Sequence, residues 1–233
     1  MLNNLTLLTY THSSVADLHK PYFGRIKKFF PGLQHSVVTC NTPVEVGDVE
    51  WVPYSDLYRH SHHMITALDH ITTEYVLYSQ EDYILYDYVQ EDKLLEYMEV
   101  LAEGNLVHFV RLIKSGVGQS RAVYNEELAF VDPYENPYFF STQATIWRRD
   151  VLRAMYLKSN VNSIFDETQN SSALAGLGAH GVYTIKVGSQ VGGHYNSLVY
   201  PYIATAKVKG RWNLAEYSKE IRQLANEYNL QIV

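Results

Sequence analysis

The sequence holds a single cysteine, Cys40, among its 233 residues. One thiol excludes an internal disulfide framework and a thiolate-rich metal site, and Cys40 reads as a small apolar residue ending a strand. No apolar run approaches the roughly 20 residues of a membrane span. The N-terminus also lacks the basic segment, apolar run and cleavage site of a leader, so a soluble, cytoplasmic protein with no membrane span is expected. Clustered cations are missing as well: Lys27-Lys28 and Arg148-Arg149 are too short to form a basic patch. With a formal charge of -6 and a pI near 5.9, the chain is not built to neutralise phosphates along a nucleic acid. It contains no internal repeat, low-complexity tract or convincing linker.

What is present points to an α/β protein. A length of 233 residues with 46% hydrophobic and 19% charged content supports one substantial core. Leu5 to Tyr10 reads as a first buried strand, with Thr11-His12-Ser13-Ser14 as turn and cap. Val15, Leu18, Tyr22, Phe23, Ile26 and Phe30 then recur at helical spacing up to Pro31-Gly32, with a kink or restart at Pro21. Strands at His35 to Cys40 and Val49 to Val52 and a helix through Met64, Ile65, Leu68 and Ile71 complete a βαββαβ order. That order predicts a largely parallel sheet, covering helices and a ligand crevice at the strand ends. Further on, the spacing predicts a helix over 93–101, strands over 105–113 and 138–147, and a helix capped by Asp150. A loose helix over 170–181 stopped by Gly181, a strand over 183–187 and a C-terminal helical stripe from Leu214 to Tyr228 follow.

The densest information lies in Tyr75-Val76-Leu77-Tyr78-Ser79-Gln80-Glu81-Asp82-Tyr83-Ile84-Leu85, an apolar strand that runs straight into two adjacent carboxylates. Open α/β sheets bind ligands at the carboxyl ends of their strands, and paired acids there suit a hard divalent cation that in turn holds phosphate. The plainer alternative is a solvated strand end with two exposed acids. Tyrosine is abundant, at 20 residues; most serve as core, and a few suit stacking on sugars or bases. His60, His62 and His63 fall on different faces of their helix and have no nearby Cys, so a lightly basic helix end is favoured over a metal site.

Several stretches, taken together and in order, resemble the bacterial or viral nucleotide-sugar-dependent glycosyltransferases of the GT-A type. They are Thr9-Tyr10-Thr11-His12, Thr73 to Tyr78 leading into Glu81-Asp82-Tyr83, Val110-Arg111-Leu112, Ser141 to Arg148, Phe165-Asp166-Glu167, and Tyr200 to Ile203 with Lys209 to Asn213. Gln80-Glu81-Asp82 looks like a variant of the family's Asp-x-Asp signature in which Gln80 replaces the first Asp. The resemblance implies one Rossmann-like GT-A domain over 1–233, with a nucleotide-binding part near 1–115 and an acceptor-side part near 116–233. It implies a hexosyl- or deoxyhexosyltransferase that takes a nucleotide diphosphate-sugar donor and a hydroxyl on a glycan or glycoprotein acceptor, inverting at the sugar, with Mn2+ or Mg2+ as cofactor.

The site residues implied are Asp82 and His194 for the metal and Glu167 or Asp166 as the base that takes the acceptor proton. For the donor they are Thr9, Tyr10, Thr11, Asp56, Gln80, Glu81, Arg111, Gln143, Trp147 and Lys209. Plainer readings stand beside these: Asp56 as a helix N-cap, Asp166 and Glu167 as acids complementing a helix dipole, His194 as a satisfied loop residue, and Trp147 as core. Two other functions remain open, a sugar nucleotidyltransferase and a non-catalytic carbohydrate-binding module. The first usually carries a Gly-rich, Lys- or Arg-bearing loop after its first strand, which Thr9 to Ser14 lacks.

Overall fold

The structure, a computed structural model, describes residues 2–47, 49–104, 106–115, 122–134 and 137–232. Strands β1 (Leu5–Tyr10), β2 (His35–Cys40), β3 (Glu50–Pro53) and β4 (Tyr75–Gln80) alternate with a 3-10 turn over Ser13–Leu18 and helices α1 (His19–Phe29) and α2 (His60–His70). Then come α3 (Glu91–Ala102), β5 (Phe109–Arg111), β6 (Lys114–Ser115), β7 (Leu128–Val131), β8 (Thr145–Arg148), α4 (Arg149–Ser159), α5 (Glu167–Ala175) and β9 (Gly181–Thr184). The chain closes with β10 (Val187–Val191), β11 (His194–Ser197), β12 (Lys207–Val208), β13 (Arg211–Trp212) and α6 (Leu214–Tyr228).

Eight strands form the central sheet in the order β3-β2-β1-β4-β8-β5-β9-β7. β3, β2, β1 and β4 are mutually parallel, and only β8 and β7 run against the rest. Alternation along the strands divides the apolar side chains between two cores. Leu5, Leu7 and Leu77 pack under α1, α3 and α6, whereas Leu8, Val76 and Tyr78 pack under α2, α4 and α5. The chain leaves β1 through α1 on one face and reaches β4 through α2 on the other. The sheet therefore opens between the carboxyl ends of β1 and β4, where doubly wound sheets hold their ligands.

Several elements depart from the sequence expectation for identifiable reasons. The first helical stripe is two pieces, a 3-10 turn over Ser13–Leu18 with Val15 off helical angles and then α1 from His19, and Pro21 sits in the first turn of α1, where its missing N–H costs nothing. The expected strand over 138–147 begins only at Thr145. Before it, the Arg111 guanidinium donates to the carbonyls of Tyr138 (2.8 Å) and Phe139 (3.0 Å). Ser171 Oγ accepts from the Phe140 N–H (2.9 Å), so side chains rather than a ladder satisfy this backbone. Gly181 opens β9 instead of stopping a helix; a Cβ there would run into the Phe109 ring. α5 instead begins at Glu167 and ends at Ala175, with Gly176 at its C-cap. Asp150 lies in the first turn of α4, and Arg148 takes the cap position. Of the strand expected over 105–113, Asn105 lies outside the described residues, and of the rest only Phe109–Arg111 is strand, as β5; β6 begins just past it at Lys114.

Trp147 belongs to the core and not to a sugar pocket. It is 1% exposed and packs between Phe109 (4.5 Å between ring centroids) and Phe140 (5.7 Å). Its period on β8 aims it at the α4 layer, which the apolar stretch around it could not reveal. Trp147→Ala should therefore lower unfolding stability by about 3–5 kcal/mol, read by urea denaturation, while nucleotide affinity of the folded fraction stays unchanged. Loss of affinity at intact stability would return Trp147 to the site.

Candidate active site

Parallel pairing sets Tyr10 level with Gln80, so Thr11 and Glu81-Asp82 leave the sheet side by side. A cleft of about 570 Å³ opens there, lined by Gln80, Glu81, Asp82 and Tyr83 together with Thr142 and Glu167. Phe165, which is 89% exposed, and Lys207 and Lys209 stand at its rim. Burial pushes the Glu81 carboxyl up to about 7, against a hydrogen bond from Thr11 and the field of His12 that pull it down. Asp82 is raised well above the carboxylate range by burial first and then by the Glu81 charge. Asp82 Oδ1 is buried with no hydrogen-bond partner. Two successive carboxylates with an orphaned oxygen are the hard-donor chemistry that Mg2+ or Mn2+ accepts, with waters and ligand phosphates completing the shell.

Across the cleft, Glu167 is held by a directed chain of hydrogen bonds. Tyr202 donates its hydroxyl to Gln143 Oε1 (2.8 Å), and Gln143 Nε2 donates to the Tyr83 hydroxyl (3.2 Å). Tyr83 reaches Thr142 Oγ1 (3.3 Å), and Thr142 donates to Glu167 Oε1 from both its hydroxyl (3.1 Å) and its backbone N–H (2.7 Å). Each hydroxyl with a fixed acceptor ahead of it must take its own bond from behind, so the chain runs one way and ends on a carboxylate oxygen. Both final bonds fall on Oε1, and neither engages Oε2. Asp166 differs: its Oδ2 accepts from the Ser163 N–H (2.9 Å), closing a local turn, and it lines neither cavity described here.

A second cavity of about 310 Å³ adjoins the first through Thr142 and Glu167 and contains Arg111, Gln143 and His194. His194 opens β11, pairs in register with Ser115 on β6, and follows the tight Gly192-Gly193 turn. Gly192 has φ of +55°, and a Cβ there would meet the Glu216 carboxylate. His194 thus lines the second cavity while Asp82 lines the first. Among the described residues, no group of three His, Cys, Asp or Glu is placed to hold a metal. Gln143 has its amide consumed by Tyr83 and Tyr202 and acts here as a link in the chain. Lys209 sits at the two-residue turn of the β12–β13 hairpin, where it and Gly210 have φ of +50° and +79°.

On the nucleoside side of β1, the structure separates the candidates. Thr9 is fully buried, bonded to the Tyr22 hydroxyl (3.0 Å). Thr11 is buried and bonded to His19 Nε2 (2.9 Å). Tyr10 is partly open and stacks on Tyr54 (5.5 Å, 5°), which stacks on His63 (3.9 Å). Asp56 caps no helix, since α2 starts after Arg59. It accepts instead from Asn41 Nδ2 (3.0 Å) and lies 3.4 Å from His12. The trio His60, His62 and His63 is not a solvated basic helix end: His60 and His63 are buried and only His62 of the three is exposed.

With this geometry in hand, known structures can be compared. The mannosyltransferase PcManGT from Pyrobaculum calidifontis, in complex with GDP-Man and Mn2+, is similar at a TM-score of 0.50 and 15% identity, over 80% of this chain and 58% of that one. S. aureus TarS 1–349 is similar at 0.52 and 14% identity, over 96% of this chain and 64% of that one. This chain has the fold of the GT-A glycosyltransferases. It spans 58% of the length of the first of those chains and 64% of the second. The bifunctional IspDF from Campylobacter jejuni follows at 0.46 and 13% identity, over 84% and 52% of the two chains, a likeness too slight to build on. No protein-family model and no curated protein matches the chain. No helix among the described residues is long and apolar enough to cross a membrane.

Some site residues left no trace in the sequence reading. Lys207 arrives through the hairpin Lys207-Val208-Lys209-Gly210-Arg211-Trp212, whose Lys-Gly turn between alternating residues is a legible signal. The stack under Tyr10 also has a consequence for acid stability. Burial first, and then the His63 charge, push the His60 imidazole down to about 3, and neither ring nitrogen has a hydrogen-bond partner. An unfolded histidine takes its proton near pH 6.5, so the unfolded chain binds more protons between that pH and about 3. Stability from this group is therefore complete above pH 6.5 and falls as the pH drops, by at most about 1.4 kcal/mol per unit. His60→Leu should flatten the decline of urea midpoints between pH 6.5 and 4; an unchanged slope would mean the imidazole titrates normally in the fold.

Proposed function

We propose that this protein transfers a sugar from a nucleotide diphosphate-sugar to a hydroxyl of a glycan or glycoprotein acceptor, with a divalent cation and inversion at the sugar. The observation that carries the reading is the single cleft in which Glu81-Asp82, with an orphaned Asp82 oxygen, face a Glu167 fixed by its own hydrogen-bond chain. The similarity in fold to a mannosyltransferase solved with GDP-Man and Mn2+ supports it. In this reading residues up to about 115 form the nucleotide-binding part and the remainder the acceptor side of one domain.

Asp82, with Glu81, would hold the cation. When bound, the cation would offset the charge on the departing diphosphate. Tyr10 offers a ring face and Asp56 a carboxylate to the nucleoside, with Gln80 beside the cation position. Lys209 brings positive charge to the rim where the diphosphate would lie, next to Lys207, which is paired with Asp17. Glu167 takes the proton of the attacking hydroxyl, since an alcohol is a poor nucleophile until a base removes it. A base acting opposite the leaving group produces inversion, and one cleft is lined by both the acid pair and Glu167. Nucleotidyl transfer is less well served: from Thr11 to Leu18, where the phosphate loop would be needed, there is no Gly, Lys or Arg. A pure carbohydrate binder would have no use for a half-buried acid pair with an orphaned Asp82 oxygen.

Two experiments test the reading. Calorimetric titration with GDP and UDP should show at least one of them binding tighter with Mn2+ or Mg2+ than with EDTA, and Asp82→Asn should abolish that difference. Equal affinity with and without cation would remove Asp82 from this role. Separately, Glu167→Gln should cut sugar transfer by about a hundred- to ten-thousand-fold at nearly unchanged nucleotide affinity, whereas Asp166→Asn should keep most of it. Near wild-type turnover in the Glu167 variant would leave that residue as a helix-end acid only.

A further inference from the structure

Two arginines of this protein are buried at 4% exposure each, and they are treated differently. Arg25 is paired with Glu227 at 2.7 Å. Arg111 makes no ion pair among the described residues; its guanidinium donates through one nitrogen to the carbonyls of Tyr138 and Phe139, and its Nε is buried without a partner. A buried cation held only by neutral dipoles is costly unless an anion completes it. The cavity it lines contains one carboxylate, Glu167, which acts on Arg111 only through space and whose Oε1 is already engaged by Thr142. The remaining polar walls are hydrogen-bond donors or neutral groups, with His194 opposite Ser115 across the β6–β11 pair.

Placement decides which ligand would carry the anion. The Arg111 cavity lies beyond the Thr142–Glu167 wall from Glu81 and Asp82, so Glu167 faces both spaces. An acceptor hydroxyl presented to Glu167 from this side leaves the rest of the acceptor beside Arg111. We propose that the acceptor is anionic, and that its phosphate or carboxylate is bound in this cavity by Arg111 with His194. The inference rests on the transferase reading and names the class of acceptor that reading leaves open.

The test titrates the wild-type protein in EDTA, which removes any cation route, with glucose 6-phosphate, glucuronate and glucose. At least one charged probe should bind more tightly than glucose by about tenfold or more, as expected for a charge-assisted hydrogen bond, and the pair distinguishes phosphate from carboxylate. Arg111→Gln should abolish the preference and His194→Gln should weaken it. Because Arg111 also anchors two carbonyls, Ser115→Asp is the second variant: an acid placed opposite His194 should repel the probes with Arg111 intact. Equal binding of glucose, or a preference unchanged in the variants that fold, overturns the proposal. Displacement of the charged probe by saturating GDP or UDP with Mg2+ also overturns it, assigning the cavity to the donor diphosphate. If no nucleoside diphosphate binds with any cation, the transferase reading fails, and the EDTA titration still reports whether the cavity is an anion site.

Discussion

The parallel pairing of β1 with β4 is the constraint on which the site depends. It sets Tyr10 opposite Gln80, and because α1 and α2 lie on opposite faces of the sheet, neither helix closes the crevice above that pair. Everything polar at the site is then a question of how far a loop can carry it past the sheet edge. Glu81 and Asp82 need no loop, since they are the first residues beyond β4. The opposite wall needs a long return, and it comes from the stretch between the end of β7 and the start of α5. A slip of one residue in β4 would exchange Leu77 with Val76 between the two cores and turn the acid pair with them, so hydrophobic packing on both faces fixes the register that the chemistry requires.

This division explains what could be read from the sequence. The strand ends at Tyr10 and Gln80, the α6 stripe and the placement of the acid pair all follow from local hydrophobic period, and they match the structure. The two-residue strands β6, β12 and β13 have no period to read. The irregular stretch before β8 looks extended because Phe139, Phe140 and Ala144 are apolar, yet its backbone is held by Arg111 and Ser171 from distant parts of the chain. The chain behind Glu167 was illegible for the same reason: Tyr83 meets Thr142 across 59 residues, and Gln143 meets Tyr202 across 59 more. Glu167 was a candidate by likeness, and its separation from Asp166 came only from where the two carboxylates point their bonds.

Charge is distributed unevenly in the interior, and that unevenness is concentrated at the two adjoining cavities. Elsewhere Arg25 is matched by Glu227, and Lys93 by Glu96 and Glu127. At the site, burial raises Glu81 and Asp82 and lowers Arg111 to about 10, each shift opposing the charged form. The acid pair lines one cavity, with Lys207 and Lys209 also in its lining, and Arg111 lines the adjoining one, where Glu167 is the carboxylate that both cavities share. The hydrogen-bond chain from Tyr202 to Glu167 fixes the residues that the two cavities share.

Such separation has a thermodynamic meaning. Natural cores tolerate an unmatched ion where the fold is stable enough to carry its desolvation cost, and here the two cores on either face of the sheet supply that stability from residues remote from the cleft. The unmatched groups then act as binding energy held in reserve: a ligand of complementary charge relieves desolvation that folding has already imposed, and it does so without reordering side chains that the surrounding bonds have fixed. Opposite signs on the two sides of Glu167 give this reserve a direction. In the proposed reading a cation with its bound phosphates lies beside Asp82 and an anionic group beside Arg111, and exchanging the two would set like charge against like. Glu167, the base in the proposed reaction, thereby lines both spaces, and the proposed ligands of the two differ in charge.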